Sequence, residues 1–284
     1  RIDSVRTTLK TTSAMKMVAS AKLHKAQNAI GNMLPYERNL HSILENLLAA
    51  CASGGKSSVE SAFVRTREVK KIAIVAFASN SSLCGGFNSN AVREATSVIS
   101  GYLDAGFAKE DITVYSIGRK MAEAMKKIGF ASPKDLNYLS DCKDYSKAAE
   151  FANGLMSMYE KGEIDKVDLV YNHFKSTSSQ PSMHITYLPF DLKQGSGESQ
   201  ATDYIIEPSP AEVVSILLPK VLTLRIYTTI LDTAAAEHAA RTVAMQTATD
   251  NGNEILEELT LQYNKSRQQK ITSEILDIVG GSLQ

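Results

Sequence analysis

Two terminal segments lack the residues that end helices, and both are too long to fold within a compact domain. From Arg1 to about Cys51 the only breakers are Gly31 and Pro35, and from Pro210 to about Gly280 they are Pro219 and Gly252. As helices, at about 1.5 Å per residue, these segments would extend roughly 70 Å and roughly 100 Å. In the first, positions alternately three and four apart are mostly apolar or small: Ile2, Val5, Leu9, Thr12, Lys16, Ala19, Leu23, Ala26, Ile30 and Met33. That spacing marks one helical seam, interrupted at Lys16. Pro35 and Gly31 predict a bend without requiring a stop, because proline withholds an N–H from the turn before it. Pro219 and Gly252 carry the same expectation for the second segment. Ala234, Ala235, Ala236, Ala239, Ala240, Ala244 and Ala248 make it slim, although alanine is also simply the best helix former. Neither segment can be covered by a small sheet, so the two are expected to pack on each other as a rod.

The middle of the chain reads differently. Val69–Phe77 is a β-branched apolar run ending in Ser79-Asn80-Ser81-Ser82 and Gly85-Gly86, a buried strand entering a turn. Helical and strand patterns then alternate: a helix about Asn90–Leu103, a strand Ile112–Ile117, helices Arg119–Ile128 and Ser146–Tyr159, and a strand Val167–Phe174. Such alternation predicts a largely parallel sheet with helices on its faces. Ser182–Phe190 is expected to pair with its predecessor as a hairpin through Ser178–Pro181. The chain thus divides into an N-terminal coiled-coil helix (1–52), a linker (53–68), an α/β foot (69–192), a loop (193–208) and a C-terminal coiled-coil helix (209–284). Pro208-Ser209-Pro210 starts the last helix, with Ser209 as its N-cap. The fold class expected is α/β: a long antiparallel coiled coil of the terminal helices plus a Rossmann-like α/β domain with a mostly parallel sheet.

Hydrophobic residues make up 43% of the 284, charged residues 22%, and the formal net charge is zero. No unbroken apolar run reaches bilayer-spanning length, so a soluble or peripheral protein is expected. The charge is unevenly placed. Arg6, Lys10, Lys16, Lys22 and Lys25 form a basic run free of acids, whereas acids gather towards the C-terminus. A solvated helix face is the ordinary reading of such a run. Without interleaved aromatics, and at neutral overall charge, it does not suggest nucleic acid; an acidic protein surface suits it better. Cys51, Cys84 and Cys142 are odd in number and widely spaced, which suggests neither a disulfide framework nor zinc. The absence of an initiator methionine at Arg1 suggests that residues precede it.

The motifs that suggest chemistry are incomplete. Gly55-Lys56-Ser57 resembles the end of a phosphate-binding loop, but Ala50 stands where its first glycine belongs. The turn Ser82–Gly86 lies where open parallel sheets bind ligands, yet it carries no G-x-G-x-x-G, and Cys84 has no nucleophile-elbow context. His24, His41, His173, His184 and His238 lack metal-ligand spacing. No catalytic residue, cofactor or metal is expected. A nucleotide-binding α/β enzyme and a membrane-binding coiled-coil adaptor remain as rival readings.

Four separated stretches are more specific: Ala14-Met15-Lys16-Met17-Val18-Ala19-Ser20-Ala21-Lys22-Leu23; Ser82-Leu83-Cys84-Gly85-Gly86-Phe87-Asn88; Glu237–Met245 through Ala248-Thr249-Asp250-Asn251; and Tyr263–Gly281. In this order they resemble the gamma subunit of F-type ATP synthases along essentially the whole chain. Ser282, where the family usually has alanine, is a mild departure. The resemblance implies a central-stalk rotor whose coiled coil penetrates a hexamer of alpha and beta subunits, while the foot meets the epsilon subunit and the membrane c-ring. Its role would be to couple proton-driven rotation to the beta-subunit catalytic sites without being a catalyst itself. Carried over residue by residue, Arg267, Gln268 and Thr272 would touch the beta subunits, with Met15 and Arg241 in the region where both helices meet them. Tyr204 and Glu207 would meet the c-ring. The implied location is the cytoplasmic face of a bacterial inner membrane, or the matrix face in mitochondria, peripheral to the membrane through the complex.

Overall fold

The computed structural model describes residues 1–53, 62–64, 67–141, 144–190, 207 and 209–281. Its elements are α1 (Ile2–Ser53), β1 (Ile72–Phe77), α2 (Phe87–Asp104), β2 (Ile112–Ile117), α3 (Arg119–Lys127), α4 (Tyr145–Glu160), β3 (Lys166–Asn172), β4 (Ser182–Leu188) and α5 (Pro210–Gly281). Gly55-Lys56-Ser57 falls outside the described residues.

The predicted seam of α1 is its packing stripe. Ala19, Leu23 and Ala26 are buried and the other seven positions are half-buried. Lys16 is among the half-buried, its aliphatic stem completing the stripe. The partner is α5, running antiparallel: Thr249 Oγ1 donates to Thr12 Oγ1 at 3.0 Å, and Leu23 and Ala26 pack on Ala235 and Ala239. The buried alanines of α5 are therefore where the helices come close. Gly252 has a comparable role, because a Cβ there would lie 2.6 Å from Leu9 Cδ2. Both helices run unbroken through their prolines. Ser209 caps α5 as expected, its Oγ accepting from Glu212 N at 3.3 Å.

The sheet order is β2-β1-β3-β4. β1 pairs parallel with β2 and β3, and β4 closes one edge antiparallel to β3. Every residue of β1 is buried, as a central parallel strand covered on both faces requires. Ile72, Ile74 and Ala76 face α2 and α3; Ala73, Val75 and Phe77 face α4, the end of α1 and the start of α5. β1 begins three residues later than expected, because Lys70 N and Lys71 N bond to Asp165 Oδ2 at 3.0 and 2.9 Å.

α5 serves two cores in succession. Val214, Leu218, Val221, Leu222, Ile226 and Ile230 complete the core of the foot together with Leu44 and Leu47 at the end of α1, and beyond them α5 packs on Leu23 and Ala26 of α1 through Ala235 and Ala239. This also explains a departure from the sequence reading. α5 contains an 18-residue window of mean hydropathy 1.5, long and apolar enough to cross a bilayer by composition, and half of it is buried inside the molecule.

Candidate functional site

The C-terminal end of β1, where a doubly wound sheet would open a ligand crevice, is filled by the protein itself. Leu83 and Gly85 take left-handed conformations (φ 68° and 58°) and turn the chain back towards α2. Asn88 Oδ1 accepts from Ser79 N at 3.0 Å and from Ser79 Oγ at 2.9 Å, and Asn88 Nδ2 lies 3.1 Å from Cys84 Sγ. Cys84 is a packed thiol, 1% exposed, against Phe87 and Ala236 of α5.

The same turn is tied to the shaft by charge. Arg241 of α5 donates to Ser82 O at 2.5 Å, to Ser81 Oγ at 2.9 Å and to Glu237 Oε1 at 2.7 Å. Glu237 is nearly buried, one helical turn before Arg241. Burial pushes its carboxyl above the ordinary glutamate value, opposed by the Arg241 guanidinium. Turn and shaft therefore form one polar junction rather than a crevice for a third molecule. Among the described residues, no group of three or more His, Cys, Asp or Glu could hold a metal ion.

The other candidate residues lie where the helices are bare. Met15 is 40% exposed on α1, beside exposed Met17 and Val18. Arg267, Gln268 and Thr272 sit in the last turns of α5, where every residue from Lys265 to Val279 is exposed, including Ile271, Ile275, Leu276, Ile278 and Val279. Thr272 Oγ1 donates back to Gln268 O at 2.8 Å, and both residues are exposed. Glu207 is exposed in a bend before α5, and Tyr204 lies outside the described residues.

One polar cluster was not found by sequence reasoning. The Asp168 carboxylate, fully buried on β3, accepts from the Tyr102 hydroxyl and from His184 Nε2 at 2.9 Å, with Lys166 Nζ at 3.5 Å. An acid inside the apolar run Val167-Asp168-Leu169-Val170 was the available signal. Burial pushes the Asp168 carboxyl up, but the bonds from His184 and Tyr102 and the Lys166 ammonium outweigh it and hold it below the usual aspartate range. A carboxyl depressed in the folded state contributes stability that is present above its unfolded pKa, about 3.9, and lost as pH falls through its folded value. Asp168→Asn is therefore expected to cost about 1–3 kcal/mol at neutral pH and to flatten the acid limb of stability. Urea unfolding of the full chain between pH 3 and pH 7 reads both effects.

Two long antiparallel helices seated on a small α/β foot, with the ligand position of the sheet closed and one helix end left bare, define a stalk protein. Known proteins agree. The family model described as ATP synthase matches residues 1–283. The ATP synthase gamma chain of Phocaeicola vulgatus is 54% identical, with 100% of this chain and 96% of that protein covered. That of Bacteroides thetaiotaomicron is 51% identical, with 100% and 97% covered. This chain belongs to the ATP synthase gamma chain family. In fold it is similar to a chain in the central stalk and c-ring structure of Tetrahymena thermophila mitochondrial ATP synthase, with a TM-score of 0.60 at 21% identity over 84% of this chain and 98% of that one. It is likewise similar to a chain in the rotor of the Euglena gracilis mitochondrial enzyme, with a TM-score of 0.59 at 18% identity over 95% and 96%.

Proposed function

We propose that this chain is the central-stalk rotor of an F-type ATP synthase, a subunit that transmits rotation and performs no catalysis. The observation that carries this reading is the bare end of α5. Fifteen consecutive exposed residues, Lys265–Val279, extend over about 22 Å of helix and display five large apolar side chains. Exposed apolar surface of this extent marks a contact with a partner, and a single slender helix is shaped to enter a closed ring.

Within the ring of alpha and beta subunits, Arg267, Gln268 and Thr272 contact the beta subunits, and Met15 does so lower on the shaft. Arg267 offers a planar, permanently charged fork suited to carboxylates. Arg241 supports this contact by holding the turn at Ser81–Ser82 against the shaft. An asymmetric shaft meets each beta subunit with a different face, so each orientation favours a different conformation of each catalytic site. The foot, with Glu207 and Tyr204 in the segment leading to α5, meets the c-ring and the epsilon subunit. Proton flow through the ring then turns foot and shaft together. The working location is peripheral, on the cytoplasmic face of a bacterial inner membrane, in keeping with the bacterial relatives.

The test is ATP hydrolysis by purified alpha and beta subunits with and without this chain, alongside size-exclusion chromatography. One copy is expected to join the hexamer and raise sustained turnover. Arg267→Ala combined with Gln268→Ala is expected to lower that turnover about tenfold, the loss of one charge-assisted contact. A chain that neither joins the hexamer nor alters its rate would refute the proposal.

A further inference from the structure

At the junction of shaft and foot the molecule has a cleft of about 480 Å³, lying between α1 near Gly31, the residues after β3 and the middle of α5. Its volume is that of sites that enclose small organic ligands. Ile30, Phe174 and Leu231 give it an apolar side. The opposite side is polar, with the carboxylates of Glu37 and Asp232, the Arg225 guanidinium and the His173 imidazole.

Asp232 is already engaged: its Oδ1 accepts from Phe174 N at 2.9 Å and its Oδ2 contacts His173 Nδ1 at 2.7 Å. Glu37 is less well matched. Its side chain is 15% exposed, yet Arg225 Nη1 approaches only to 3.6 Å, beyond hydrogen-bond length. Burial pushes the Glu37 carboxyl up, and Arg225 and a hydrogen bond from Thr228 only partly offset this. Gly31, four residues before Pro35, also lines the cleft, and its carbonyl receives no N–H from the proline. Gly31 also keeps the mouth open, since a Cβ there would meet nothing within 4 Å.

We propose that this cleft binds a small amphipathic cation, its amidinium, guanidinium or ammonium head at Glu37 and its apolar body against Ile30, Phe174 and Leu231. A Glu37 carboxyl that Arg225 does not reach at hydrogen-bond length, in a half-enclosed space, favours a cationic head over a neutral or anionic one. The adjoining apolar wall favours a hydrocarbon or aromatic body over a bare metal ion. The site lies away from the bare tip of α5, so it does not depend on the proposed contacts with the beta subunits.

Benzamidine is a suitable probe, with benzamide and benzoate as ring-matched neutral and anionic controls, followed by ligand-observed NMR on the full chain and on the chain assembled with alpha and beta subunits. Benzamidine is expected to bind with a Kd on the order of 1 mM or tighter, at least tenfold better than either control. Glu37→Gln, which keeps the size of the side chain, is expected to weaken it about tenfold. Gly31→Leu, for which the helix has room, is expected to fill the cleft and abolish binding, with the helical circular dichroism unchanged. Equal binding of the three probes, no binding at all, or an unchanged affinity in both variants would overturn the proposal. Binding by the free chain that disappears on assembly would also overturn it, by assigning the cleft to a neighbouring subunit.

Discussion

Gly118→Ala is expected to unfold the foot, with a loss of roughly 3–5 kcal/mol. Gly118 follows β2 with φ at 95°, a conformation that strains any residue with a Cβ. A Cβ there would also lie 2.0 Å from the carbonyl oxygen of Ala78 and 2.7 Å from its carbon. Those atoms cannot retreat freely. Ala78 N donates to Ile117 O at 2.9 Å, and Lys120 N to Ser79 O at 3.1 Å, so moving Ala78 breaks the ladder joining the two strands that hold the turn. Gly106 is the control: its φ is 96°, but nothing lies within 4 Å of a Cβ. Gly106→Ala should cost only about 1 kcal/mol, the conformational part alone. Guanidinium unfolding of the full chain followed by circular dichroism compares the two. A Gly118→Ala loss no larger than that at Gly106 would contradict this account.

Arg241→Ala is expected to destabilise the junction by about 3–5 kcal/mol, because it strips the buried Glu237 carboxylate of its guanidinium and frees Ser81 and Ser82. The sign of its pH dependence follows from Glu237. A carboxyl whose folded pKa is raised contributes stability that is present below its unfolded pKa and lost as pH rises through the folded one. With Arg241 gone the folded pKa rises further, so the deficit should be largest at the alkaline end of the range and should shrink as pH falls and Glu237 takes up a proton. Glu237→Leu with Arg241→Met, which removes both charges, should recover most of the loss. Thermal melts of the full chain at several pH values check this, and a pH-independent deficit would mean that the Glu237 charge is not the cause.

How much of this was legible in the sequence depends on the range of the interaction. The seam of α1 from Ile2 to Met33 was readable in full, because helical periodicity is local. The strands and the β3–β4 hairpin were readable for the same reason. What was missed is non-local. Gly252 looked like a bend, whereas it makes room for Leu9 on the other helix. Val69 and Lys70 had strand character, but Asp165 takes the backbone of Lys70 and Lys71. The bonds that Arg241 makes within the chain were missed, because its partners in the turn lie 159 and 160 residues away, where no spacing rule reaches. The first third of α5 was read simply as helix, and only the sheet reveals that it belongs to the core of the foot. Of the candidate site, Arg267, Gln268 and Thr272 were named through resemblance alone, and their exposure at the end of α5 required the structure.

The most direct test of the rotor reading is single-molecule rotation. Alpha and beta subunits are fixed to a surface and the foot is labelled with a bead through Ser100→Cys, an exposed position on α2, after Cys51 and Cys142 have been replaced by serine. With ATP supplied, the bead is expected to revolve continuously in one sense, and to stop or slow when Arg267 and Gln268 are both alanine. A bead that stays still or only fluctuates while the same assemblies hydrolyse ATP would contradict the claim that this chain is the shaft.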